Sequence, residues 1–173
     1  MKKSFFYLTL IAAMAMTFVS CSNDEEKDTA ENRLKFANQL TQNSTTCTWE
    51  GYDQYQRKEL GNWVDEDRKS YVVIRFDRAS TTNAYGTGML LTFENSYKEQ
   101  FKEASEFIWG FDKGQLQITF RHGGWAPVYA EYYTNELTIS GDTFKGWWWE
   151  KTDRRFELKY TKSSFKDWDK YVN

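Results

Sequence analysis

Proline and cysteine are nearly missing from this 173-residue chain, which has one of the first and two of the second. Two cysteines allow one bridge at most, so no disulfide framework holds the fold and packing must stabilise it. His122 is the only histidine. It sits beside Gly123 and Gly124 in a turn signal, with no ligand-spaced partner for zinc and no nucleophile close by in sequence. An excess of positive charge is lacking too: 23 basic against 25 acidic side chains give a net charge of −2. That balance excludes the electrostatic footprint of a nucleic-acid-binding protein. No apolar run reaches the ~20 residues of a membrane-spanning helix. Asp65-Glu66-Asp67 lacks the alternating ligands of a calcium loop and reads as a solvated turn. Glu50 and Glu131 fall on expected strands and could converge as a carboxylate pair, but an acid-rich sheet offers many such pairs. The chain is read as non-catalytic, without metal or cofactor.

Aromatic residues, in contrast, are abundant: 8 Trp, 11 Tyr and 13 Phe, 18% of the chain, at a mean hydropathy of −0.79. A polar chain with so many large rings can build its core from few side chains.

The N-terminus carries an address. Met1-Lys2-Lys3 is a basic head, and Phe5 to Val19 is a short apolar run ending in small residues. This is the pattern of a secretory signal over residues 1–20. Phe18-Val19-Ser20-Cys21 resembles the lipobox of bacterial lipoproteins. The resemblance implies cleavage before Cys21 and acylation of that residue, with palmitate among the chains. Two or more acyl chains anchor stably where one is marginal. Residues 21–44 then comprise an acidic tether, Ser22 to Asp28, and a short helix expected over 29–42 with a capping box from Asp28 to Glu31. The acids behind the lipidated cysteine resemble the surface-export signals of some Gram-negative lipoproteins. That implies an outer-membrane protein facing the cell surface, the periplasmic face being the alternative. Asp28-Thr29-Ala30 resembles an O-glycosylation acceptor and makes Thr29 the expected site. With Cys21 lipidated, Cys47 has no partner and is expected to be a small buried residue.

From Thr45 onward the periodicity is two. Val72, Ile74 and Phe76 alternate with Val73, Arg75 and Asp77, Phe107, Trp109 and Phe111 recur at the same spacing, Leu116, Ile118 and Phe120 alternate with Gln115, Gln117 and Thr119, and Phe156, Leu158 and Tyr160 complete the series. Strands are expected at 46–56, 69–78, 84–94, 105–112, 115–121, 126–134, 136–149 and 154–161, with a ninth if Gly141-Asp142 is a two-residue hairpin. Short turns and no intervening helical pattern argue an all-β antiparallel meander. Eight or nine such strands close into an up-and-down barrel over residues 45–173, with short helices at both ends. The C-terminal helix is expected from the Ser164 to Asp167 box, with Phe165, Trp168 and Val172 on one face. Trp49-Glu50-Gly51, Tyr85-Gly86-Thr87-Gly88 and the F-x-W, L-x-I-x-F and F-x-L-x-Y series resemble lipocalin-like lipoproteins of the calycin type. The resemblance implies a barrel that can hold one small ligand.

The tryptophans define the candidate sites. In Trp147-Trp148-Trp149, alternation places Trp148 inward with Phe144 and its two neighbours outward. Trp109, Tyr132 and Trp148 are the expected ligand-lining residues, with Gly86 and Gly88 leaving room beside them for a small apolar or glycan ligand. In such a cup, Trp148→Ala costs less than about 2 kcal/mol, against ~3–5 for a core tryptophan. Outward Trp147 and Trp149 either lie under a terminal helix, against Leu40 or Trp168, or form a platform for a sugar or a partner protein. The competing function is therefore that of an interaction or inhibitor lipoprotein, an accessory subunit at the outer membrane.

Overall fold

The computed structural model describes residues 28–94, 100–121, 128–131 and 137–172, with only the backbone of residues 129–131. The signal segment, Cys21, His122 and Tyr132 lie outside the described residues, as does the side chain of Glu131.

Among the described residues one helix, α1 (Ala30–Leu40), precedes nine strands: β1 (Thr46–Glu59), β2 (Asn62–Asp77), β3 (Tyr85–Glu94), β4 (Phe101–Asp112), β5 (Gln115–Phe120), β6 (Val128–Glu131), β7 (Leu137–Ser140), β8 (Thr143–Lys151) and β9 (Arg154–Lys162). All pair antiparallel in one curled, barrel-like sheet of order β6-β5-β4-β3-β2-β1-β9-β8-β7. Its curl brings β6 to β8, which meet at a single pair, Tyr129 with Trp149. The Gly141 hairpin forms, with Ser140 opposite Thr143 and Gly141 at φ 54°, the positive angle a two-residue turn needs.

Two strands are longer than their apolar pattern. Residues 57–68, read as loop, continue β1 and β2 to a tight hairpin where Glu59 faces Asn62 across Leu60 (φ 49°) and Gly61 (φ 88°). The arm is mostly solvent-exposed on both faces, so no alternation marks it. Asp65-Glu66-Asp67 is consequently strand, not turn.

The inner face holds the core. Trp49, Phe76, Phe107, Phe144, Leu116 and Leu158 are fully buried there, and ring pairs such as Trp49–Phe144 and Phe76–Phe107, both 5.5 Å between centroids, meet edge to face. Gly51 permits the close approach of β1 and β9, since a Cβ there would stand 2.0 Å from the Lys159 carbonyl oxygen.

α1 closes one end. Thr29, not Asp28, is its N-cap, accepting from the Asn32 amide at 3.1 Å. Asp28 is instead gripped by the Arg33 guanidinium, at 2.8 and 2.6 Å, and Arg33 also reaches Asp112 at 3.2 Å. Ala37 and Leu40 are buried, and the Trp49 indole donates to the Leu40 carbonyl at 2.8 Å.

A second apolar cluster lies outside the sheet. Tyr71, Val73, Met89, Leu91 and Phe93 are covered by Phe165, Trp168 and Tyr171. This explains why Tyr71 to Ile74 are all buried, contrary to simple alternation. The covering segment is no amphipathic helix. It holds one 3₁₀ turn, Trp168–Lys170, and the Phe165 amide is capped by Ser163, not Ser164.

Candidate functional site

Alternation along β8 sends Trp148 inward, where it is 2% exposed, and β4 sends Trp109 inward at 3%. Both are buried; Trp148 borders the small interior cavity and Trp109 reaches the wall of a groove outside the barrel. The Trp109 indole donates to the Thr87 and Asp77 carbonyls at 2.8 and 3.2 Å. Gly86 and Gly88 do not leave room for a ligand: a Cβ at Gly88 would stand 2.2 Å from the Phe107 ring, and one at Gly86 would stand 2.9 Å from the Trp109 indole nitrogen. The space beside Gly88 is taken by the Phe107 ring and that beside Gly86 by the Asp77 carbonyl, 1.9 Å from such a Cβ.

What remains inside is a cavity of about 30 Å³ bordered by Asp53, Tyr55, Thr92, Trp148, Phe156 and Tyr160 among others. That is room for one or two waters. The polar group at its wall is Asp53, which falls on the inward register of Trp49, Gly51, Asp53 and Tyr55 and which the apolar pattern alone does not reveal. The Tyr160 hydroxyl donates to Asp53 Oδ1 at 2.5 Å. Trp148 in turn hydrogen-bonds Tyr160. Burial pushes the Asp53 carboxyl up to about 7, the Tyr160 bond opposing only in part. Burial, with the Asp53 charge behind it, likewise raises Tyr160 well above its ordinary range. The interior therefore carries a carboxyl that is largely neutral below pH 7, tied to a phenol and an indole, with space for water but not for a substrate.

The outer face of β8 and β9 is different. Trp147 and Trp149 are half-buried, and among the described residues the Arg155 side chain lies over them. Its guanidinium stands 3.8 Å from the Trp147 ring, 4.1 Å from Trp63 and 5.4 Å from Trp149. Trp63 reaches the group because the β1–β2 arm carries it there, edge-on to Trp149 at 5.4 Å. The Arg155 Nε donates to Gln56 Oε1 at 3.0 Å, and Gln56 Nε2 to Asp65 Oδ1 at 2.6 Å. The result is a surface of three indoles clamped by one guanidinium, beside a hairpin whose Leu60 is 104% and Val64 39% exposed. Sequence reading found Trp147 and Trp149. It missed Trp63 and Arg155, whose only signal was alternation with Val64 and Phe156.

The other expected residues are dispersed. Thr29 is exposed, at the helix N-cap and not in the tether. Glu50 accepts from the Ser163 hydroxyl at 2.8 Å. Cys47 is free and buried, its thiol pushed up to about 11 chiefly by burial. Among the described residues no three His, Cys, Asp or Glu side chains are grouped as metal ligands. In comparison with known proteins, no family model and no curated protein matches the chain.

Proposed function

We propose that this chain is a lipid-anchored envelope protein that works by binding another protein on the outside of its β domain, without catalysis. The observation that carries this reading is where the large side chains went. The lumen is filled down to about 30 Å³, far below the ~300–1,000 Å³ of ligand pockets. Trp63, Trp147, Trp149 and Arg155 meanwhile form one exterior cluster. Trp and Arg are the residue types that dominate interface energetics, and the fully exposed Leu60 marks the tip of the hairpin that carries Trp63.

Strand direction supports the orientation. β1 leaves the α1 end and runs 14 residues to the Leu60 turn, ~45 Å of extended chain. Anchored through an acylated Cys21 and the acidic tether, the domain would hold this tip away from the outer membrane, at the cell surface of a Gram-negative bacterium. The sheet order and the β6–β8 contact fit a lipocalin-like, up-and-down barrel adapted to a filled interior.

The test is a photo-crosslinking residue at Leu60 in the full-length, lipidated chain on its host cells. One discrete protein adduct is expected, lost when Trp147 and Trp149 are both replaced by Ser. Native mass spectrometry of the Ser22–Asn173 form supplies the opposing outcome: a stoichiometric small molecule travelling with it would return function to the lumen.

A further inference from the structure

A second surface feature lies at the opposite end of the same sheet. A groove of about 670 Å³ runs between the β2–β3 turn and the outer face of β4, lined by Asp77, Arg78, Asn83, Tyr85, Thr87 and Ile108 among others. Register explains how it forms. Asp77 faces Thr87 and Thr87 faces Ile108 in one outward row. Tyr85 pairs with Gly110 in the adjacent row, and a Cβ at Gly110 would sit 3.4 Å from the Tyr85 Cβ, so the glycine leaves one flank of the tyrosine open.

The wall is rigid. Arg78 is buried and pins the turn, its Nε donating to the Ser44 carbonyl at 2.9 Å, Nη1 to the Asn83 carbonyl at 3.1 Å and Nη2 to Asn38 Oδ1 at 2.6 Å. Asp77 is neutralised by Arg75 at 2.8 Å and accepts from the Thr46 hydroxyl. The Arg78 charge is met by neutral acceptors alone, but the residue is only 5% exposed and its bonds run into the turn, so no open cation faces the groove. The groove presents instead an aromatic ring 65% exposed and an isoleucine 45% exposed, beside carboxylate, amide and hydroxyl groups.

We propose that this groove is a binding site for a neutral sugar ring, seated on Tyr85 with its hydroxyls directed to Asp77, Asn83 and Thr87. The negative face of an aromatic ring attracts the weakly positive C–H face of a pyranose, while planar carboxylate and amide groups can accept from and donate to adjacent hydroxyls. The burial of Arg78 and the pairing of Asp77 with Arg75 speak against a phosphate or an acidic sugar, which would need an accessible cation. A wall fixed before binding lowers the ordering cost that a weak ligand must overcome. The site shares no residue with the Trp63, Trp147 and Trp149 surface and does not depend on it.

The experiment screens the folded Ser22–Asn173 protein on an array of neutral and acidic oligosaccharides, with calorimetry on the hits. Binding to neutral oligosaccharides is expected. Tyr85→Ala should weaken it about tenfold or more, while Tyr85→Phe stays within about threefold. Tyr85 is mostly exposed, so its truncation leaves the core intact; circular dichroism checks this. Thr87→Trp, which occupies the groove from an exposed position, should abolish binding. A Trp147→Ala, Trp149→Ala double variant should bind as the parent does. No neutral hit, binding confined to acidic glycans, or unchanged affinity in Tyr85→Ala would each overturn the proposal.

Discussion

Asp53→Asn should make the domain more stable at neutral pH, although it removes a buried hydrogen-bonded carboxylate. The Asp53 carboxyl is raised from 3.8 to about 7 by burial. A folded-state value above the unfolded one means that the native state holds a proton the unfolded chain releases. Stability from this group is therefore full below pH 3.8, falls as pH rises toward 7, and is level above that. About 3 units at ~1.4 kcal/mol each give a cost of ~4 kcal/mol at pH 8, to order of magnitude. Asparagine carries no charge and keeps a carbonyl oxygen for the Tyr160 hydroxyl, so the cost disappears while the bond can survive. Urea unfolding of parent and variant from pH 5 to pH 8 isolates the effect, because every other titrating group is common to both. The stability gap should widen by ~2–3 kcal/mol in favour of the variant over that span. A gap that is the same at both ends, or that narrows, would show that burial does not hold Asp53 neutral.

Three further outcomes follow. Trp148→Ala should destabilise the domain by ~3–5 kcal/mol in urea, the core value, and a loss under about 2 kcal/mol would restore the cup. Gly51→Ala should prevent folding or shift the β1–β9 register, because its Cβ would meet the Lys159 carbonyl oxygen at 2.0 Å; a normal thermal midpoint would refute the stated contact. Cys21→Ala should abolish labelled palmitate incorporation and release the protein from membranes, and retention of both would defeat the lipoprotein reading.

Much of the fold was legible because a strand's period is two. That rule placed Trp148 and Trp109 inward, Trp147 and Trp149 outward, and found the Gly141 hairpin. It failed where both faces share one environment. The Arg57 to Lys69 arm is largely solvated on both sides, so its strands carry no alternation and looked like loop. At Tyr71 to Ile74 both sides are buried, and only the C-terminal segment explains why. Ser164 to Asp167 resembled a helix start, yet Phe165, Trp168 and Tyr171 reach Phe93, Phe101 and Arg75 on different strands, a spread that one helical face does not supply. The candidate sites were harder still. Whether Gly88 opens a pocket or seats a ring depends on Phe107 across the ladder, a pairing that the linear chain does not display. Asp53 did leave a trace, as the one acid in the inward row of β1. Arg155 left only its alternation with Phe156, since clamping three tryptophans is a property of the curled sheet.

The external strap has a consequence for the order in which the molecule is made. Tyr71, Val73, Leu91 and Phe93 lie on the face of β2 and β3 that the barrel interior cannot protect. Their cover comes from Phe165, Trp168 and Tyr171, which follow every strand in the chain. A polypeptide emerging N-terminus first can curl its sheet and seat α1, yet it still shows a sticky apolar stripe until the final residues arrive. Cover for this stripe thus follows the strands in synthesis, and a chain truncated after β9 would carry all the described strands and still be prone to self-association.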